Sequence, residues 1–137
     1  ISKPLRNKGF HGMQLEWNSD LDAARKTNEY YEAKIDTASI KLYKKFLDEC
    51  ASKHIDVILV YTPEYIEGQK YVSNREEVLN IYKKIAKDYD LVFLDYSNNE
   101  MSYDKRYFYN SEHLNATGAD VFTRILSHDI KVAHTIQ

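Results

Sequence analysis

The hydrophobic positions of this chain fall into two rhythms. Between residues 37 and 53, Ile40, Tyr43, Leu47 and Cys50 recur at helical spacing, with Phe46 and Ala51 alongside. Lys41, Lys44, Lys45, Asp48 and Glu49 take the other positions, so the segment predicts an amphipathic helix with one solvated face. The pattern then changes. Ile55-Asp56-Val57-Ile58-Leu59-Val60-Tyr61 is short, nearly continuously apolar and rich in β-branched residues. That composition fits a strand buried on both faces, as in a parallel sheet. Thr62-Pro63 ends it, and Gly68 marks a loop through Asn74. Ser73-Asn74-Arg75-Glu76 reads as a capping box, followed by a helical face of Val78, Tyr82, Ile85, Ala86 and Tyr89. Leu91 to Tyr96 repeats the strand pattern. Strand, helix, strand predicts a βαβ unit with parallel strands and a right-handed crossover.

The ends of the chain are read in the same way. Asn115 is a good N-cap for a helix whose inner face is Ala119, Phe122, Ile125 and Leu126. His128, Lys131 and His134 are expected in a polar tail beyond it. Ser19 can cap a helix from Asp20 with a thin stripe of Leu21, Ala24, Tyr31 and Ile35, either running on or breaking near Asp36 and Thr37. Residues 1–18, with Pro4, Gly9, Gly12, Lys3, Arg6 and Lys8, have no periodicity and predict an irregular arm. His11 in that arm is ordinary polar surface, and Asn18 is better explained by turn and cap chemistry than as an oxyanion donor.

Composition narrows the functions. At 137 residues the chain has room for a single domain. A net charge of −2 gives no electrostatic case for nucleic acid or an anionic membrane. No apolar run reaches membrane-spanning length. One cysteine, Cys50, leaves no intrachain disulfide and no zinc-finger spacing, and its position on a helix's apolar side predicts an inert buried thiol. The histidines lack metal-ligand spacing, and with four glycines there is no phosphate-cradling loop, so no metal and no cofactor is expected. The acidic cluster and lysine of a receiver module are not evident. Twelve tyrosines against one tryptophan suit half-buried strands and polar, carbohydrate-facing surfaces.

The candidate chemistry follows from topology. In open α/β sheets ligands bind beyond the carboxyl ends of the strands. Glu64 and Tyr65 lie there after the first strand, and Ser97 after the second. The polar, aromatic stretch from Glu100 to Glu112, with Tyr103, Tyr107, Phe108 and Tyr109, is long enough to suggest a functional loop, and it delivers His113 to the mouth of the last helix. Glu64, Asp95, Ser97 and His113 are therefore expected to converge. His113 is placed to act as a base, or else is a hydrogen-bonded loop histidine. Glu64, Ser97 and Tyr109 are candidate substrate contacts, though Glu64 also reads as an ordinary exposed glutamate.

The run Phe108-Tyr109-Asn110-Ser111-Glu112-His113-Leu114-Asn115-x-x-Gly118-Ala119-x-x-Phe122 resembles the last block of SGNH (GDSL-like) hydrolases. It is most similar to the cell-envelope branch that acts on O-acyl groups of surface polymers, over roughly residues 36–130. The resemblance implies a three-layer α/β/α, flavodoxin-like parallel sheet, of which this chain holds only part. It implies that His113 is the catalytic histidine, that the substrate is an O-acylated, chiefly acetylated, carbohydrate or envelope polymer, and that the compartment is extracytoplasmic. Two departures stand out: Asn110 occupies the position of the usual Asp, and no Gly-Asp-Ser nucleophile block occurs. An amide oxygen can accept from an imidazole N–H but brings no charge, so a backbone carbonyl, Asp95 or Glu64 is a candidate substitute. Ser111 is better explained by loop hydrogen bonding than as a nucleophile. The chain is thus expected to carry the histidine half of a serine esterase site, with the nucleophile in preceding sequence. Open strand edges predict self-association as a homo-oligomer. The alternative is a catalytically inactive α/β domain that binds carbohydrate or a protein partner through its tyrosine-rich edge.

Overall fold

The computed structural model describes residues 12–136. Its elements are α1 (Asp20–Thr27), α2 (Thr37–Ser52), β1 (Ile58–Tyr61), α3 (Ile66–Tyr71), α4 (Arg75–Asp88), β2 (Val92–Asp95) and α5 (Ala116–Ile136), with 3-10 turns at Glu100–Tyr103 and Lys105–Tyr107. The class is α/β. β1 and β2 form a two-stranded parallel sheet, with Ile58 opposite Val92 and Tyr61 opposite Asp95.

Each strand is launched by the helix before it. α2 starts at Asp36, whose carboxylate accepts from the N–H groups of Ala38 and Ser39 at 3.0 and 3.2 Å and from the Ser39 hydroxyl at 2.6 Å. Those bonds hold the Asp36 carboxyl below its usual value, the hydroxyl foremost. Leu47 and Cys50 face inward, and Cys50 is a buried free thiol. The helix stops at His54, with φ 54°, where the Ile55 N–H reaches back to the Cys50 carbonyl at 2.9 Å. α4 ends in the same way at Asp90, φ 53°, with the Leu91 N–H on the Ala86 carbonyl at 2.8 Å. Both are left-handed C-terminal caps made without glycine, and both turn the chain straight into a strand.

α5 covers one side of the sheet. Tyr96, Met101 and Phe122 are buried there, with Val60, Leu94, Tyr107, Leu114, Val121, Ile125 and Leu126 packed around them. The Tyr96 ring meets Phe122 edge-on at 5.0 Å, and its hydroxyl donates to Asp129 at 2.7 Å. The stretch expected as a polar tail after residue 126 is therefore helix, because Asp129 has a buried tyrosine to hold.

Three other expectations change. α1 ends at Thr27, and Tyr31 instead forms an extended bridge with Val72. The capping box does not form. Asn74 holds the backbone of Ala33 through both its oxygen and its amide, at 2.8 and 2.9 Å, and the Ser73 hydroxyl donates to the Tyr31 carbonyl at 3.3 Å. A crossing segment needed those polar atoms more than the helix end did. The stretch around Gly68, read as loop, contains α3. Residues 12–18 carry no regular element, as expected of an arm, while the arm's first eleven residues, His11 among them, lie outside the described residues. No described helix is long and apolar enough to cross a membrane.

Candidate active site at the carboxyl ends of the strands

The site grows from two loops that lean on each other. The first leaves β1 at Tyr61, whose hydroxyl donates to Glu64 Oε2 at 2.6 Å. From α3, the buried Gln69 reaches under this loop, and its Nε2 donates to the Glu64 carbonyl at 2.9 Å and the Ser97 carbonyl at 2.8 Å. One side-chain amide thus ties the ends of both strands together, where no ladder bond exists to do so. Burial pushes the Glu64 carboxyl above its usual value, against the Tyr61 hydroxyl and the positive fields of Arg75 and His113, while Glu112 pushes it further up.

The second loop carries the histidine. Phe108, 1% exposed, anchors it and bridges backbone-to-backbone with Leu114. Asn115 caps α5, as its sequence position suggests: its oxygen accepts from the Gly118 N–H at 3.0 Å, and its amide donates to the carbonyls of Arg106 at 2.8 Å and Phe108 at 3.3 Å. Gly118 lies so close to the Tyr107 carbonyl oxygen that a Cβ there would collide with it. The two loops meet where the Tyr65 N–H donates to the Ser111 carbonyl at 3.0 Å. Gly68 lets them close, since a Cβ would stand 2.6 Å from the Ser111 Cβ and 2.8 Å from its carbonyl oxygen. The arm lies along the second loop, with the Asn18 N–H on the Tyr109 carbonyl and the Ala116 N–H on the Met13 carbonyl, each at 2.8 Å.

His113 itself is exposed, and its ring stacks on Tyr109 with centroids 5.5 Å apart and planes 16° apart. Its Nδ1 lies 3.0 Å from Asn110 Oδ1. That Asn110 atom also accepts from the N–H groups of Glu112 at 3.0 Å and His113 at 2.8 Å. Only an oxygen accepts from N–H donors, so these two bonds settle which amide atom faces the ring. The ring nitrogen against it must then be a donor. In the neutral imidazole the proton is on Nδ1, and Nε2 carries the lone pair.

The other sequence candidates divide. Ser97 is buried at 4% exposure; its N–H donates to Asp95 at 3.0 Å. For Asp95, burial pushes upward, but the Ser97 hydroxyl and N–H, Lys83 and Arg75 outweigh it and hold the carboxyl below its usual value. Asp95 stands 3.8 Å from Lys83. The pair Asp95 and Ser97 is thus occupied with itself, beneath the loops, while Glu64, Tyr109, Asn110 and His113 belong to the loop surface. Several residues escaped the sequence reading. Gln69 and Gly68 carry no motif that would flag them. Trp17 meets Tyr65 edge-on at 5.0 Å and lies under the Lys105 ammonium at 4.2 Å, and Tyr65 touches Phe108 at 6.0 Å. Arg75 stacks over the Tyr61 ring at 5.3 Å, with Nε and Nη2 buried and without a hydrogen-bond partner. Among the described residues, no group of three or more His, Cys, Asp or Glu side chains stands together to hold a metal ion.

The fold and the site define an α/β chain with an oriented histidine at the carboxyl ends of two parallel strands. Comparison with protein-family models, curated protein sequences and solved structures gives no match to it.

Proposed function

We propose that this chain carries the histidine half of an SGNH-like acyl-transfer site. The partner nucleophile is a serine outside residues 1–137, and the substrate is an O-acylated, chiefly acetylated, carbohydrate or cell-envelope polymer. The observation that carries the reading is the Asn110–His113 pair: an acceptor three residues before the histidine takes the Nδ1 proton at 3.0 Å and leaves Nε2 basic. In that chemistry Nε2 removes the serine hydroxyl proton as the oxygen attacks the acyl carbonyl carbon. The ester C–O bond then breaks, the leaving hydroxyl takes the proton from Nε2–H, and an acyl-serine remains. Water or an acceptor hydroxyl, deprotonated by the same Nε2, releases the acyl group. Exposure of His113 supports the reading, since a base that serves a group from outside this chain must face outward.

The test is intact-mass measurement after fluorophosphonate treatment, on this chain and on the longer protein that the reading requires. The expected result is no adduct on the chain and one on the longer protein, lost in His113→Ala. An adduct within residues 1–137 overturns the placement of the nucleophile. No adduct on the longer protein overturns the hydrolase reading.

A second reading rests on the neutral amide at Asn110 and the aromatic surface of Trp17, Tyr65 and Tyr109 around it: a binding domain for carbohydrate or a protein partner with no turnover. It gains if the longer protein takes no adduct while retaining polysaccharide on an affinity gel.

A further inference from the structure

Asn110 solves half of the problem a histidine base presents. It fixes the tautomer, but as an amide it does nothing for the positive charge that Nε2 acquires when it takes a proton. A carboxylate is needed for that, and the structure distinguishes three. Asp95 accepts from the Ser97 N–H at 3.0 Å and lies 3.8 Å from Lys83. Glu112 is exposed, where water screens its field. Glu64 is only partly exposed and is held on several sides. Its Oε2 takes the Tyr61 hydroxyl at 2.6 Å, its carbonyl takes Gln69 Nε2 at 2.9 Å, and the next residue's N–H is bonded at 3.0 Å to Ser111, inside the loop that bears His113.

We propose that Glu64 is the positioning carboxylate of this site: Asn110 holds the imidazole's Nδ1 proton, and Glu64, fixed by Tyr61 and by the Tyr65–Ser111 strut, supplies the negative charge that stabilises protonated His113. The acceptor and the charge, which a single carboxylate ordinarily provides together, are here divided between two loops. The charged and titratable groups that face Glu64 are Tyr61 from β1, Arg75 from α4, and Glu112 and His113 from the loop before α5. Those that face His113 are Glu64 and Glu112, with Tyr109 against the ring and Asn110 at Nδ1. Arg75 competes with His113 for the same carboxylate. Its guanidinium is stacked over Tyr61 at 5.3 Å and leaves Nε and Nη2 without acceptors, so it does not engage Glu64 by hydrogen bonds. Partial burial strengthens the Glu64 field on the imidazolium, because fewer waters lie between them.

The inference rests on the proposed function for its use, but its test reads proton binding and needs no nucleophile. The His113 ring-proton resonances are titrated by NMR in the parent chain, Glu64→Gln and Glu112→Gln. The expected result is a midpoint lower by about half a pH unit in Glu64→Gln, and a smaller displacement in Glu112→Gln. The Glu64 carboxyl carbon of the parent should in turn show a second inflection at the His113 midpoint, since coupled groups report each other's titration. An unmoved His113 midpoint in Glu64→Gln overturns the proposal. If that variant does not fold, a single inflection at the parent's Glu64 carboxyl overturns it instead. Coupling without a fluorophosphonate adduct on the longer protein would leave the Glu64–His113 pair standing and remove only the hydrolase reading.

Discussion

The strand-end loops and the α2–α4 flank are held by different forces. The loops around Glu64 and His113 are joined by directional bonds: Gln69 to two carbonyls, Asn115 to two more, Tyr65 to Ser111. The flank is apolar and open. An indentation of about 450 Å³ runs between the extended segment before α2 and the two helices, lined by Ile35, Ile40, Tyr43, Val78, Tyr82 and Ile85 among others. On α2, Leu42 is 69% exposed and Phe46 54% exposed. Apolar contact is proportional to area and indifferent to direction, so it holds helices together without placing any one atom. Hydrogen bonds to named carbonyls place atoms, and the site has them.

The largest effect expected from this contrast is at its two phenylalanines. Phe108→Ala empties a fully enclosed position and should cost about 3–4 kcal/mol in urea unfolding, whereas Phe46→Ala should stay within about 0.5 kcal/mol. Equal losses would show that the flank is as closed as the loops. Next comes Gln69→Leu. It keeps the volume but strips two buried carbonyls of their donor, and should lower stability by about 2 kcal/mol. It should also shift the backbone resonances of residues 64 and 97 together. A neutral result would mean that the two strand ends do not depend on the clamp.

The smallest effect is the pH dependence of Glu64. Burial raises its folded carboxyl above 4.5, so the folded state holds that proton more tightly than the unfolded chain does. The associated stability is complete below the unfolded value and is lost as pH rises through the folded one. Glu64→Gln removes the group. Its stability relative to the parent should therefore improve between about pH 4 and pH 7. Asp36, Asp95 and Asp129 are held low and contribute in the opposite sense, losing their stabilisation as pH falls below 3.8, but they are common to both chains and cancel in the difference. A difference that stays flat with pH would place Glu64 in water, in contact with neither Tyr61 nor His113.

Periodicity read the helical faces correctly wherever one side chain in three or four pointed inward. Leu47 and Cys50 in α2, Ile85 and Ala86 in α4, and Phe122 in α5 are all buried. The Asn115 cap was legible because its partner, the Gly118 N–H, is three residues away. The capping box at Ser73 to Glu76 failed for the opposite reason: Asn74 and Ser73 bond to residues more than 40 positions earlier, and no local pattern announces that. α3 was missed because Gly68 reads as a breaker, while its bare Cα serves the contact with Ser111. His54 and Asp90, the two left-handed caps, were invisible because glycine is the usual signal for that conformation.

By itself the sequence determined the elements with periodic faces, the parallel βαβ unit and the Asn110–His113 spacing. Each of these depends on neighbours within a few residues, where geometry is set by the chain's own repeat. Tertiary structure alone decided which oxygen faces the imidazole, which of three carboxylates stands by it, and that Ser97 turns to Asp95. Those outcomes turn on polar atoms competing for partners brought from distant positions, and the competition is settled only when the loops have packed.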